Sequence, residues 1–230
     1  MDDRYYENME RVNTGYGKPR FSRTEIRDIL VAVTVLTVAF ATLYRDSNSI
    51  LAFFEYGCGL EGRMKYAGLI GMCLVVVVLS FLLHEFGHKF MAQRYGLWSE
   101  FRMWPLGLAL TMVSSFLGFM FASPGAVMIA GNVDSARNGK ISIAGPAVNI
   151  VIGAIAIAGC LLCNHSGWVV LFMMLANLNS FLALFNLLPI PPLDGSKIIS
   201  WNLIVWIVAI AIAAAEVLYI WQYMPTLYWG

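Results

Sequence analysis

The chain has 230 residues, 59% of them apolar and 13% charged, with a formal net charge of +1. Soluble domains carry about 25% charged and about 45–50% apolar residues, so this composition excludes an ordinary soluble domain and a disordered chain. A net charge this small also speaks against nucleic-acid binding, which needs a concentrated basic field.

Charge position says more than charge count, because the acids and bases crowd into residues 1–28 and are sparse between the long apolar runs beyond them. Residues 1–28 are expected to form a polar cytoplasmic extension rather than a signal peptide, since mixed charge precedes the first apolar run. A membrane-spanning helix needs about 20 largely apolar residues. Five runs qualify: Ile29–Tyr44, which draws on its flanks, Tyr66–Ala92, Ile141–Leu162, Trp168–Leu188 and Ile199–Tyr223. A sixth apolar region, Pro105–Gly131, is broken by Gly107, Gly118, Pro124 and Gly125, which argues against one regular helix. The expected fold is an all-α polytopic membrane protein with about five to six transmembrane helices. A small membrane-embedded β-sheet or re-entrant segment is expected after the second helix.

Lys and Arg in short loops mark the cytoplasmic side. The N-terminal stretch, 89–102 and 134–140 read as internal, while 45–66 and 164–167 read as external. Pro105–Gly131 must then leave and re-enter on one side, and it is too short for two crossings. Irregular backbone at that depth needs protein or a wet cavity around it, which makes the segment a candidate cavity wall. Cys160 and Cys163 have the C-x-x-C spacing but no second pair, and they read as packing residues. His165 reads as a surface histidine in the external loop.

The second apolar run leads into His84-Glu85-Phe86-Gly87-His88. On a helix, His84 and His88 lie about 40° apart on one face and about 6 Å apart along the axis. That geometry lets two imidazoles share one Zn²⁺ at about 2.0–2.1 Å, with the adjacent Glu85 as general base rather than ligand. Ionisable groups at this depth are costly and are functional by default. A catalytic zinc site takes three protein ligands, and the remaining acid in a suitable setting is Asp194, after Pro189, Pro191 and Pro192 have ended the fourth span. Gly195 permits a tight turn beside it. The sidedness argument places His84, His88 and Asp194 at the same cytoplasmic ends of their spans. The competing reading of Asp194 is a turn or cap aspartate paired with Lys197. Glu216, alone in the last span, has no evident partner in sequence.

With H-E-F-G-H at 84–88 and N-x-x-P-x-P-x-L-D-G at 186–195, the sequence resembles the site-2 protease family of intramembrane zinc metalloproteases. Gly145-Pro146-Ala147-Val148-Asn149 is similar to a further G-P-x-x-N element of that family, and together the motifs cover about residues 67–200. The resemblance implies one Zn²⁺ per chain held by His84, His88 and Asp194, Glu85 as general base, and a membrane-embedded sheet after the H-E-x-x-H helix. It also implies roles for Asn186 and Asn149 in holding substrate or an oxyanion. The resulting layout is a polar extension (1–28), a first transmembrane helix with external loop (29–66), a catalytic core (67–200) and a C-terminal transmembrane helix (201–230).

The expected activity is hydrolysis of a peptide bond in or near a transmembrane segment of membrane-protein substrates, by zinc-activated water with Glu85 as base. The active site should face the cytoplasm, and the partners are the lipid bilayer and transmembrane substrates, with no nucleic acid. A helical substrate hides its carbonyls, whereas an extended peptide can add to a sheet edge. Gly125, Ala126, Val127, Met128 and Ile129 are the candidate edge strand. A membrane zinc-binding transporter and a non-catalytic scaffold remain as alternatives. A transporter would not need Glu85 beside a ligand, and would show polar residues along several spans.

Overall fold

A computed structural model describes residues 21–45, 50–51, 53–119, 123–163 and 168–223. The connection 164–167 with His165, and residues 1–20 of the expected extension, lie outside the described residues. Helix α1 spans Arg23–Tyr44, and Ser22 caps it by accepting the Glu25 N–H at 3.1 Å. It begins six residues before the expected Ile29, so the end of the supposed extension is helical and its Glu25 and Asp28 are buried. A short π-helical turn, Phe53–Gly57, buries Phe54 before the next span.

Helix α2 runs from Arg63 to Arg94, with a π-helical segment at Val78–Leu82. Such a bulge adds one residue to a turn and re-aims every side chain after it. His84, Glu85 and His88 come directly after this one. The helix closes on Gly96, whose φ of +73° suits glycine, with Leu97 N–H bonding Ala92 O and Gly96 N–H bonding Gln93 O.

Strand β1 (Trp98–Met103), helix α3 (Pro105–Phe116) and strand β2 (Gly125–Ala130) come next. The strands pair antiparallel in a two-stranded sheet, from Trp98 opposite Ala130 to Met103 opposite Gly125. The described residues of the segment 105–131 thus form a short apolar helix and a strand. Proline in the first turn of α3 supplies a favourable start, since its missing N–H has no helical partner to lose.

Helix α4 (Ser135–Leu162) is capped by Asp134 and contains Pro146. Helix α5 (Trp168–Asn186) stops at Asn186, ahead of the expected Leu188 and of the proline-rich turn. The expected span from Ile199 is two helices, a short α6 (Asp194–Trp201) and α7 (Leu203–Tyr223). They are divided at Asn202, which has extended backbone and whose side-chain oxygen accepts the Val205 N–H at 3.0 Å. Among the described residues, five helices (α1, α2, α4, α5 and α7) are long and apolar enough to cross a membrane.

The main core joins Leu36 and Phe40 of α1, Leu69 and Val76 of α2, Ala156 and Cys160 of α4, and Met173 and Met174 of α5. Cys160 is buried there as a free thiol, in keeping with a packing role. Without a hydrophobic drive between helices in lipid, close approach depends on small residues. Gly87 supplies it between α2 and α4, because a Cβ there would lie 2.8 Å from Ala144 O. A Gly87→Val change should push α2 from α4 at an overpacking cost of about 1–3 kcal/mol. The expected result is a lower melting temperature of the purified protein in detergent, and an unchanged one would contradict this packing.

Candidate active site

His84 and His88 sit one turn apart on α2, and their rings meet edge to face with centroids 4.7 Å apart. Their Nε2 atoms are 3.1 Å apart. Asp194, the first residue of α6, brings Oδ2 to 3.6 Å from His84 Nε2 and 3.1 Å from His88 Nε2. All three side chains are buried. Among the described residues, this is where His, Cys, Asp or Glu donors converge closely enough to share an ion.

Several local features produce this convergence. The π-helical segment turns His84 and His88 toward α4. Gly145 clears room for the rings, since a Cβ there would lie 2.3 Å from His88 Nε2 and 2.8 Å from His84 Cε1. On the other side, Gly195 lets α6 start against the end of α5, where a Cβ would meet Leu187 O at 2.1 Å. Asp194 thereby lies at a helix N-terminus, where backbone N–H groups favour a carboxylate. Burial opposes ionisation of this carboxyl. The helix N-terminus and the Lys197 ammonium work against that burial and favour the carboxylate. Its second oxygen, Oδ1, faces Lys197 Nζ at 3.4 Å. The pairing with Lys197 is therefore present, but Leu193 and not Asp194 is the N-cap, and Oδ2 is left to the imidazoles.

The rings are oriented from behind. His84 Nδ1 meets Asn149 Oδ1 at 2.5 Å and His88 Nδ1 meets Ile141 O at 2.8 Å. Both partners are acceptors, so each Nδ1 is placed to donate, which leaves each Nε2 on the side of Asp194 and available to a metal. Two imidazole nitrogens and a carboxylate oxygen gathered within 3.1–3.6 Å of one another offer a cation three ligand atoms. A tetrahedral ion with bonds of about 2.0–2.1 Å separates its ligand atoms by about 3.3 Å. The group fits one such ion.

Asn149 is used differently from the substrate contact expected for it. Its Nδ2 donates to Ser80 O at 3.0 Å and to Asn179 Oδ1 at 2.8 Å, while its oxygen accepts from His84. With both hydrogens committed, the amide has no N–H left for an oxyanion. Asn179, which sequence reasoning missed, donates onward to Ser80 Oγ at 2.8 Å and to Leu175 O at 2.9 Å. An asparagine in an apolar run and a serine before a histidine carry no periodic signal. Only their meeting across α2, α4 and α5 reveals the network.

Asn186 closes α5 half-buried, with its Nδ2 donating to Leu182 O at 3.0 Å. Glu85 is buried and turns to the sheet, where its Oε2 accepts the Val127 N–H at 3.1 Å. Of the expected edge strand, Gly125 to Ile129 all lie in β2, with Ala126 and Met128 exposed. Glu216 has a partner that the sequence did not suggest: Ser180 Oγ donates to its Oε2 at 2.8 Å, between α5 and α7.

Outer-shell partners of metal-binding histidines typically contribute 10–100-fold to affinity. Asn149→Leu should therefore weaken zinc binding by roughly that factor while the helices stay assembled. Gly145→Ala should do the same by displacing both rings. Competition with a chromophoric chelator measures both, and wild-type affinity in Asn149→Leu would contradict the orienting role.

The family model described as peptidase family M50 matches residues 162–228. A Methanocaldococcus jannaschii protein assigned by name as a zinc metalloprotease, MJ0611, is 35% identical over 192 residues, covering 81% of this chain and 89% of its own. Rip2 of Mycobacterium tuberculosis is 32% identical over 149 residues, 57% of each chain. YwhC of Bacillus subtilis is 29% identical over 160 residues, covering 57% of this chain and 68% of its own. The latter two carry names of the same kind. No solved structure matches. With one relative aligned along nearly its whole length, and with the motifs at 84–88 and 186–195 meeting at one point, the chain belongs to peptidase family M50, the site-2 protease family that its motifs resemble.

Proposed function

We propose that this protein is an intramembrane zinc metalloendopeptidase that cleaves peptide bonds in or near transmembrane segments of its substrates. His84, His88 and Asp194 are its ligands and Glu85 is its general base. The observation that carries the reading is the Glu85 contact with Val127. It sets the one carboxylate beside the ligand group against the backbone of an open strand edge, which is where an extended substrate would lie.

When bound, the zinc would polarise the scissile carbonyl and make water nucleophilic near neutral pH. Every other demand falls on the chain itself. His84 and His88 keep their Nε2 atoms free of hydrogen because Asn149 Oδ1 and Ile141 O hold the Nδ1 hydrogens. Asp194 supplies the negative ligand and leaves Oδ1 to Lys197. Glu85 takes a proton from water and passes one to the leaving amine, and a substrate strand displaces its contact with Val127.

Backbone on the outer edge of β2, at Gly125, Val127 and Ile129, would pair with an extended peptide, with Ala126 and Met128 meeting its side chains. A helical substrate has to unwind first. Asn186, at the end of α5, is the remaining candidate for a substrate contact. A cytoplasmic orientation of the site is supported by the exposed Arg94, Arg137 and Lys140 near it in the chain. Lys89, which also contributes to that expectation in sequence, is buried in an ion pair and carries no weight there.

Glu85→Gln should retain one zinc per chain and lose cleavage of a transmembrane peptide by about 10²–10⁴-fold. Asp194→Ala should lose both. Metal analysis and mass spectrometry of products in detergent measure the two quantities. Wild-type turnover in Glu85→Gln, or a full zinc complement in Asp194→Ala, would refute the assignment.

A further inference from the structure

The two edges of the sheet are not equivalent. In an antiparallel pair, successive residues point their backbone groups to opposite edges. Phe101 N–H donates to Glu25 Oε1 at 2.9 Å and Ser99 C=O accepts from Lys89 Nζ at 2.9 Å. Both therefore face away from β2. Their partners in register, Val127 and Ile129, face away from β1, in accord with the Val127 contact to Glu85.

On the β1 edge, the carboxylate stands where a neighbouring strand's carbonyl would be, and the ammonium stands where its N–H would be. Glu25 and Lys89 are joined at 2.8 Å, and both side chains are 0% exposed. Ser99 Oγ donates back to Lys89 O at 3.1 Å, and the Phe21 ring covers Lys89 Nζ at 4.6 Å. The first turn of α1 and the residue after His88 thus complete β1 without adding a strand. On the β2 edge, by contrast, Val127 N–H meets only the displaceable Glu85, and the flanking Ala126 and Met128 are exposed.

We propose that Glu25 and Lys89 are positioning residues for the substrate: by mimicking a strand they seal β1, so that an extended peptide can add only to β2, in fixed register with Glu85. The inference rests on the protease reading and names the device that makes its binding edge one-sided. A free β1 edge would offer a second pairing site on the side away from Glu85, where a bound strand could not be cleaved. Apolar side chains of similar size often replace a buried ion pair at little cost in stability. Removing the seal also leaves Phe101 N–H and Ser99 C=O without these partners, so a zinc content equal to that of the intact protein is required of each variant to show that it stays folded.

The test is disulfide trapping of a hydrophobic peptide bearing one cysteine, in detergent. The protein is the full chain with Glu85→Gln to stop turnover and with its four cysteines replaced by alanine. Met128→Cys reports β2 and Glu100→Cys reports β1, because these residues lie opposite each other on one face. With Glu25 and Lys89 intact, trapping at 128 should exceed trapping at 100 by at least about tenfold, the worth of one blocked backbone hydrogen bond. Glu25→Leu/Lys89→Met should raise trapping at 100 to near that at 128. Glu25→Gln/Lys89→Met keeps an oxygen for Phe101 N–H and should restore part of the preference, a rescue that a merely structural role would not give.

Hydrogen exchange at the Phe101 amide, slow in the wild type and fast in Glu25→Leu/Lys89→Met, reads the seal without any peptide. Equal trapping at both positions with the pair intact, or an unchanged preference without it, overturns the proposal. Trapping at neither position overturns the substrate-edge reading and the proposal with it. The exchange rate then tells whether the seal itself exists.

Discussion

Everything in this fold is arranged around one electrostatic problem. Two imidazole nitrogens and a carboxylate oxygen must be held within about one ligand-to-ligand distance in an apolar environment, where electron-rich groups repel and water is scarce. A cation resolves the repulsion, but the chain has to build the arrangement first. The π-helical segment, Gly145, and the turn that starts α6 at Asp194 are the three backbone devices that bring these atoms together. The Ser80–Asn149–Asn179 network holds one ring by its far nitrogen. Because that network is buried and fully paired, it fixes ring orientation instead of merely tolerating it.

The buried carboxylates divide the labour by the partners they find. Glu25 faces a lysine and a backbone N–H, and Asp194 faces two imidazoles, a lysine and a helix N-terminus. Glu85 has a single backbone N–H, and Glu216 a single serine hydroxyl, with its Oε1 unpartnered. A carboxylate held between two imidazoles and a lysine is a poor proton carrier, whereas one with a lone, replaceable contact can exchange protons as the site is occupied. On that ground Glu85 differs from Asp194, although both are acids beside the same histidines.

Much of this is legible in the sequence because the signals are local. Apolar runs give the spans, four-residue spacing gives the histidine pair, and prolines give the end of α5. The site residues His84, Glu85, His88 and Asp194 each sit in a motif that a one-dimensional reading can find. What the sequence conceals depends on partners distant in the chain. Ser22 and Glu25 have the S-x-x-E spacing of a capping box, and Ser22 does cap α1, yet the Glu25 carboxylate leaves its own helix for Lys89 and Phe101. Charged residues at 23–28 and Lys89 read as solvated because nothing adjacent to them reveals a partner. Asn149 reads toward the substrate because the motif places it near the site, while hydrogen-bond accounting turns it to the back of His84.

The small sheet ties the membrane setting to the chemistry. An unpaired backbone group is costly wherever water is scarce, so each bare edge of a two-stranded sheet carries a penalty in such a setting. This chain closes one edge with side chains from α1 and α2 and leaves the other against Glu85. On the proposed reading, the open edge would offer its hydrogen-bonding capacity at the place where a substrate backbone has to be extended to be attacked. A transmembrane helix that unwinds gives up its internal hydrogen bonds, and pairing with β2 returns some of them. The same pairing removes Val127 N–H from Glu85. Substrate binding would then free the base at the moment its proton-accepting oxygen is needed, so that specificity for extended backbone and activation of Glu85 become one event.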